Sequence, residues 1–128
     1  MRARLLAAVA ALTLVSGVSQ AQTSPSFEPL SREELIKEGV IGALFLVDYA
    51  QTRDISASYP RRTEKNPILG EHPTDAAIAR YFLGGALLHV AVLYALPKEY
   101  RAPFQNGTII LQGGVVARNA YFGIGMRW

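Results

Sequence analysis

Three polar side chains follow the apolar run Leu44-Phe45-Leu46-Val47 within a turn and a half of helix: Asp48, Gln51 and Thr52. Their i, i+3, i+4 spacing places all three on one face. Further on, His89 interrupts an apolar stretch two turns after Tyr81. Gln112 and Asn119 then stand seven residues apart, again on one face of a helix. A carboxylate and an imidazole in apolar surroundings are the parts of a proton relay, an ion site or a small-ligand site. Together with Glu64 and His72 they also have the chemistry of a divalent-metal site or a general acid/base pair. The same groups can instead satisfy one another across helices and fix helix register, with Asp48 and Gln51 pairing to His89, Gln112, Asn119 or Arg118.

Spacing weakens the enzymatic reading. His72 and His89 form no ligand pattern such as HExxH, and no GxSxG elbow, Gly-rich phosphate loop or Ser-His-Asp order is present. His72, between Glu71 and Pro73, reads as a loop residue, and Glu64 reads as a loop partner for Arg53 or Arg62. The residues expected to form a polar core or ligand site are Asp48, Gln51, Thr52, Glu64, Asn66, His89 and Asn119. No catalytic set, metal site or cofactor is expected.

The elements that must position these residues follow an export signal. Residues 1–21 have a basic start at Arg2 and Arg4, an apolar stretch, and small residues at Ser19 and Ala21, so cleavage is expected after Ala21. The same blocks would also serve an uncleaved anchor. After a polar linker over 22–30, Ser31 and Glu34 form a capping box, flanked by a Leu30 and Leu35 staple, and predict a helix over about 32–58 that Tyr59-Pro60 ends. The connection at 60–74 is polar and turn-rich, with a short turn at 67–70. Thr74 as N-cap and Asp75 in the first turn begin a helix over about 75–96, closed by Pro97. A third helix is expected over about 104–126, although Asn106-Gly107 followed by Ile109, Ile110, Val115 and Val116 is also a hairpin signal. A terminal Trp128 after an export signal would suit an outer-membrane barrel, but one or two strands cannot close one.

The fold class predicted is therefore all-α, one domain over 31–128, a small membrane bundle of about three transmembrane helices after a cleaved signal peptide. Composition agrees: 50% of residues are hydrophobic, only 18% are charged, and mean hydropathy is +0.16. The formal charge of +3 includes Arg2 and Arg4, so the mature chain is nearly neutral and nucleic-acid binding is not expected. With no cysteine, thiol redox chemistry and disulfides are excluded. If the mature start is exported, the 60–74 loop lies on the cytoplasmic side with Arg53, Arg61, Arg62, Lys65 and Arg80 in or beside it, in line with the positive-inside rule. Small residues at four-residue spacing, Gly39 with Ala43 and Gly113 with Ala117, and the Gly84-Gly85 pair would allow close helix approach.

The segments "DYAQTRDI", "EKNPILGEHP" and "RYF" followed by His89 resemble an uncharacterised family of small integral membrane proteins of bacteria and phages, over roughly 48–119. The resemblance implies a helical membrane fold without assigned activity. It marks Asp48, Gln51, Thr52, Glu64, Asn66, Pro67, His89 and Asn119 as the recurring positions. The expected function is a structural, accessory or assembly module in a bacterial inner membrane, with the lipid bilayer and a membrane-protein partner or second copy as its contacts. Alternatives are a membrane-embedded ligand, ion or proton site, and a soluble periplasmic helical domain.

Overall fold

The computed structural model describes residues 28–128, so the expected leader and most of the linker lie outside the described residues. Three helices run up, down and up: α1 Arg32–Ala57, α2 Asp75–Ala95 and α3 Lys98–Tyr121. Among the described residues there is no strand, so the Asn106-Gly107 hairpin alternative is not realised. Helix α1 is the hub: it packs along both of the others, whereas α2 and α3 barely touch.

The ends of α1 and α2 follow from local chemistry. The Ser31 hydroxyl accepts from Glu34 N at 3.2 Å while the Glu34 carboxylate accepts from Ser31 N at 2.7 Å, closing the capping box. Thr74 caps α2 by accepting from Ala77 N. Helix α3 departs from expectation at both ends. It starts at Lys98, not near 104, and takes Pro103 into its second turn. The whole α2 to α3 connection is thus Leu96 and Pro97, and most of the segment between the expected second and third helices is helical. Pro97 at the N-cap sets the entry, and Pro103 removes only one bond of a frame held elsewhere by packing. At the other end α3 stops at Tyr121 in a Schellman motif, where Gly123 at φ 69° lets Ile124 N donate to Asn119 O and Gly123 N to Ala120 O. The expected extension to 126 is instead a tail folded back on α1, where Arg127 N donates to Ala50 O and Gly125 N to Asp54.

The loop between α1 and α2 is built by its own polar residues. One Glu64 carboxylate oxygen accepts from the backbone N–H of both Lys65 and Asn66, and Asn66 Oδ1 accepts from Ile68 N. The turn closes on Gly70, whose φ of 77° requires a left-handed residue. Glu64 therefore does not pair with Arg53 or Arg62. Arg53 meets Asp75 at 3.2 Å, and Arg62 meets Asp54 at 2.9 Å while donating to Gly123 O. The Ser56 hydroxyl donates to Pro73 O at 2.6 Å and pins the loop's end to α1.

The interior is dominated by polar groups. Among the described residues the buried apolar side chains are Ile41, Ala50, Ile55, Ile78 and Leu93, with Pro73 at the end of the loop, against eight buried polar or charged ones. Large apolar side chains such as Leu46, Leu87, Leu88, Ile110 and Leu111 point outward. Small residues do not mediate helix approach: a Cβ built on Gly39, Gly84, Gly85 or Gly113 would meet nothing within 4 Å. The expectation of close contact at these positions is not met, because polar pairs, with their longer side chains, set the interhelical distance.

The N–H of Ser31, bonded to the Glu34 carboxylate, holds that group below the usual carboxylate range. The capping box is therefore fully stabilising above that range and is lost as pH falls through the depressed pKa. Replacing Glu34→Gln, which leaves an acceptor for the Ser31 N–H but no titratable carboxylate, is expected to cost about 1 kcal/mol near neutral pH. Thermal melts across the acid range should show a smaller loss of stability on acidification in the variant than in the parent.

Candidate functional site

The polar residues on the facing sides of α1 and α3 form one cluster. Asp48 lies midway along this interface, accepting from Gln112 Nε2 at 2.6 Å and from Asn119 Nδ2 at 3.4 Å. Asn119 also donates to Gln51 Oε1 at 3.2 Å, and Gln51 Nε2 donates to Val116 O at 3.2 Å. Two α3 amides thus meet the carboxylate of Asp48, and one of them, Asn119, also bridges to the amide of Gln51. Thr52 is buried beside them and lines the adjacent cavity.

His89 is not in this cluster. Because α2 runs antiparallel to α1, the level of Asp48 and Tyr49 is met by Phe82, whose ring stands edge-on to Tyr49 at 5.8 Å. His89 sits two turns further along and meets Glu38, its Nε2 lying 3.0 Å from Glu38 Oε1. Its ring stacks on Phe104 at 4.8 Å, with Phe45 at its edge. Gln105, fully buried, donates to the same Glu38 oxygen at 2.8 Å and to Glu34 O at 3.0 Å. Next to it Arg101, also fully buried, reaches Leu96 O and Glu28 O and lies over the Tyr94 ring. This second cluster of Glu34, Glu38, His89, Arg101 and Gln105 closes the opposite end of the bundle.

Sequence reasoning missed four members of that cluster. Their signal was present: Glu34, Glu38, Ile41, Phe45, Asp48, Thr52 and Ile55 recur at alternating spacings of four and three, a single helix face. On α3, Gln105, Gln112 and Asn119 recur every seven residues, and Arg101 extends the stripe by one turn. Reading the segment from Pro97 onward as a loop hid Arg101. His72 lies apart from both clusters, stacked on Tyr59 at 4.4 Å.

Beside the Asp48 cluster lies a cavity of about 560 Å³. Its floor is Asp48, Thr52, Gln112 and Asn119, and its roof is the loop carrying Arg61, Glu64, Lys65 and Asn66. Thus five of the seven expected site residues line one space, while Gln51 stands behind it and His89 is remote. Among the described residues no three carboxylate or histidine side chains converge as a metal site would need. The arrangement can hold polar groups of a ligand by hydrogen bonds and charge.

The chain matches no family model, no curated protein and no solved structure.

The geometry makes a coupling test direct. Gln112→Leu leaves the Asp48 carboxylate without its shortest partner and is expected to cost about 1.5–3 kcal/mol, the range for hydrogen bonds to charged groups. Adding Asp48→Leu should recover much of that loss, because the double variant no longer encloses an unpaired charge. Reversible unfolding in mixed detergent, carried through the full double-mutant cycle, measures both effects.

Proposed function

We propose that the chain is a small integral membrane protein whose three helices cross the bilayer, and that it acts as a structural or accessory module of a membrane assembly. One observation carries this reading. Around the middle of the helices Leu46, Leu83, Leu87, Leu88, Ile110 and Leu111 each expose more than half of their surface, while Gln51, Thr52, His89, Gln105 and Asn119 lie inside and Asp48 is half-buried beside them. In water this distribution forfeits most of the hydrophobic driving force; in lipid it is the favourable one.

Two further features support it. Tyr59, Tyr121 and Trp128 are exposed at the loop end of the bundle and Tyr100 at the other. Along α3, Tyr100 and Tyr121 are separated by about 30 Å at ~1.5 Å per residue, close to the ~30 Å hydrocarbon thickness whose borders tyrosine and tryptophan favour. Among the described residues α2 alone is long and apolar enough by composition to cross a membrane. Part of the polarity of α1 and α3 is turned inward, where Glu38, Asp48 and Gln51 meet Gln105, Gln112 and Asn119. Arg32, Glu33, Lys98 and Glu99 stand at the first turns of these helices, so their outer faces between the ends are more apolar than the whole sequences.

The reading includes removal of the leader after Ala21, an inner-membrane location in a bacterium, and a cytoplasmic 60–74 loop. The polar core fixes which face of each helix meets its neighbour, and the open glycine and alanine faces at Gly39, Ala43 and Ala117 leave room for a membrane-protein partner or a second copy. A second reading, a membrane-embedded small-ligand site, is favoured by the cavity, because Asp48 both bonds across the interface and forms part of its floor.

Fractionation of a C-terminally tagged chain, with a carbonate wash and sequencing of the mature N-terminus, tests the membrane reading. Retention in washed membranes with a start at Gln22 is expected, and release into the wash contradicts it. In the same cells Asp48→Asn should lower steady-state abundance several-fold, since a loss of 1–2 kcal/mol is enough for that. Unchanged abundance would contradict the structural role of the cluster.

A further inference from the structure

The cavity wall has chemistry that the core's hydrogen bonds leave unused. Helices α2 and α3 meet near their short turn, through Arg101 with Tyr94 and Phe104 with His89. Farther from the turn, Tyr81 and Phe82 of α2 and Val115 and Arg118 of α3 border one cavity, with α1 behind it and the loop above. At about 560 Å³ it is in the size range of small-molecule sites.

Its charges are unequally committed. Asp48 is taken by Gln112 and Asn119, Glu64 by two backbone N–H groups, and Arg62 by Asp54 and Gly123 O. Arg61, Lys65 and Arg118 also line the cavity, and among the described residues none of them forms an ion pair with a carboxylate. Lys65 reaches only the Thr63 hydroxyl, and Arg118 lies over the Phe122 ring at 5.2 Å. Three cations with free donors around one space complement an anion with several acceptor oxygens, and guanidinium groups match phosphate geometry in particular. Phe82, Val115 and Phe122 in the same wall supply an apolar surface that inorganic phosphate would not use.

We infer that this cavity binds a phosphate group carried on an organic ligand, with the phosphate held by Arg61, Lys65 and Arg118 and the organic part against Phe82, Val115 and Phe122. The phosphate has two sources, the headgroup of an anionic lipid or a soluble phosphate ester. The lipid source rests on the membrane reading; the phosphate site itself does not.

The test is thermal unfolding of the full chain in a neutral maltoside detergent, titrated separately with phosphatidylglycerol, phosphatidylcholine and glycerol phosphate. Phosphatidylglycerol should raise the melting temperature and phosphatidylcholine should not. Arg118→Gln should raise the half-saturating concentration about tenfold or more, as loss of a charge-assisted hydrogen bond implies. Arg80→Gln, an exposed cation that does not line the cavity, should leave it unchanged. Lys65→Gln provides a second cavity variant should Arg118→Gln melt poorly without ligand. Equal effects of Arg80→Gln and the cavity variants would reduce the binding to general surface charge and overturn the site, as would equal shifts from both lipids with none from glycerol phosphate. An Arg118-dependent shift with glycerol phosphate matching that with phosphatidylglycerol supports the site and assigns it to a soluble ester; a shift with the lipid alone assigns it to the headgroup. Release of the chain by the carbonate wash would remove the lipid source, and the glycerol phosphate titration in detergent-free buffer would still decide the cavity. Retention in membranes with no Arg118 dependence would overturn the cavity proposal and leave the membrane reading intact.

Discussion

The half-buried carboxylate of Asp48, held between two parallel helices, is the constraint from which the rest of the arrangement follows. A group of this kind in low-dielectric surroundings requires partners, and α3 supplies two, Gln112 and Asn119, one above the other on a single face. Once that face is turned inward, the register of α1 against α3 is set to within one residue, and Gln51 falls into place against Asn119 and Val116. The apolar side chains of α3, Ile110 and Leu111 among them, are then turned outward because they occupy the opposite face. Polar satisfaction, and not burial of apolar area, decides how these helices meet.

The second cluster applies the same logic at the other end. Glu38 of α1 meets both His89 of α2 and Gln105 of α3, so this carboxylate ties the three helices together at that end. Arg101 donates to Leu96 O, the first carbonyl of the α2 to α3 turn, and Pro97 O accepts from Tyr100 N, so both carbonyls of this two-residue connection are satisfied. Along the bundle the buried apolar surface is thin, with Ile41, Ala50 and Ile55 of α1 and Ile78 and Leu93 of α2 as its helical members. The loop and tail close the remaining end, where Asp54 gathers Arg62 and the backbone of Gly125. That closure leaves a roofed cavity next to Asp48, and the two features cannot be separated: the loop that covers the carboxylate also brings the uncommitted cations above it.

Much of this was legible in the sequence wherever the signal is local. Ser31, Thr74 and the prolines after α1 and α2 gave the ends of those helices to within a residue. The i, i+3, i+4 run of Asp48, Gln51 and Thr52, and the seven-residue step from Gln112 to Asn119, were enough to expect that the two stripes face one another. His89 was misplaced because its depth depends on where α2 docks along α1, which Ser56 and Pro73 determine across the loop, a long-range fact no spacing contains. Arg101 and Gln105 were missed for a different reason: Pro97 and Pro103 resemble loop punctuation, yet the first is a helix cap and the second is absorbed by packing. Glu64 was expected to pair with an arginine; its nearest donors were in fact the N–H groups of its own turn, which local geometry favours over a longer reach.

The central claim is that polar groups point inward around Asp48 while the outer faces of all three helices meet lipid. The most direct measurement places nitroxide labels at Leu88 and Leu111, one each on α2 and α3, in the chain reconstituted into vesicles, and compares collision rates with oxygen and with a water-soluble nickel chelate. The account predicts that oxygen, which concentrates in the hydrocarbon, dominates at both positions. Dominance of the nickel chelate at either would place that face in water and contradict it.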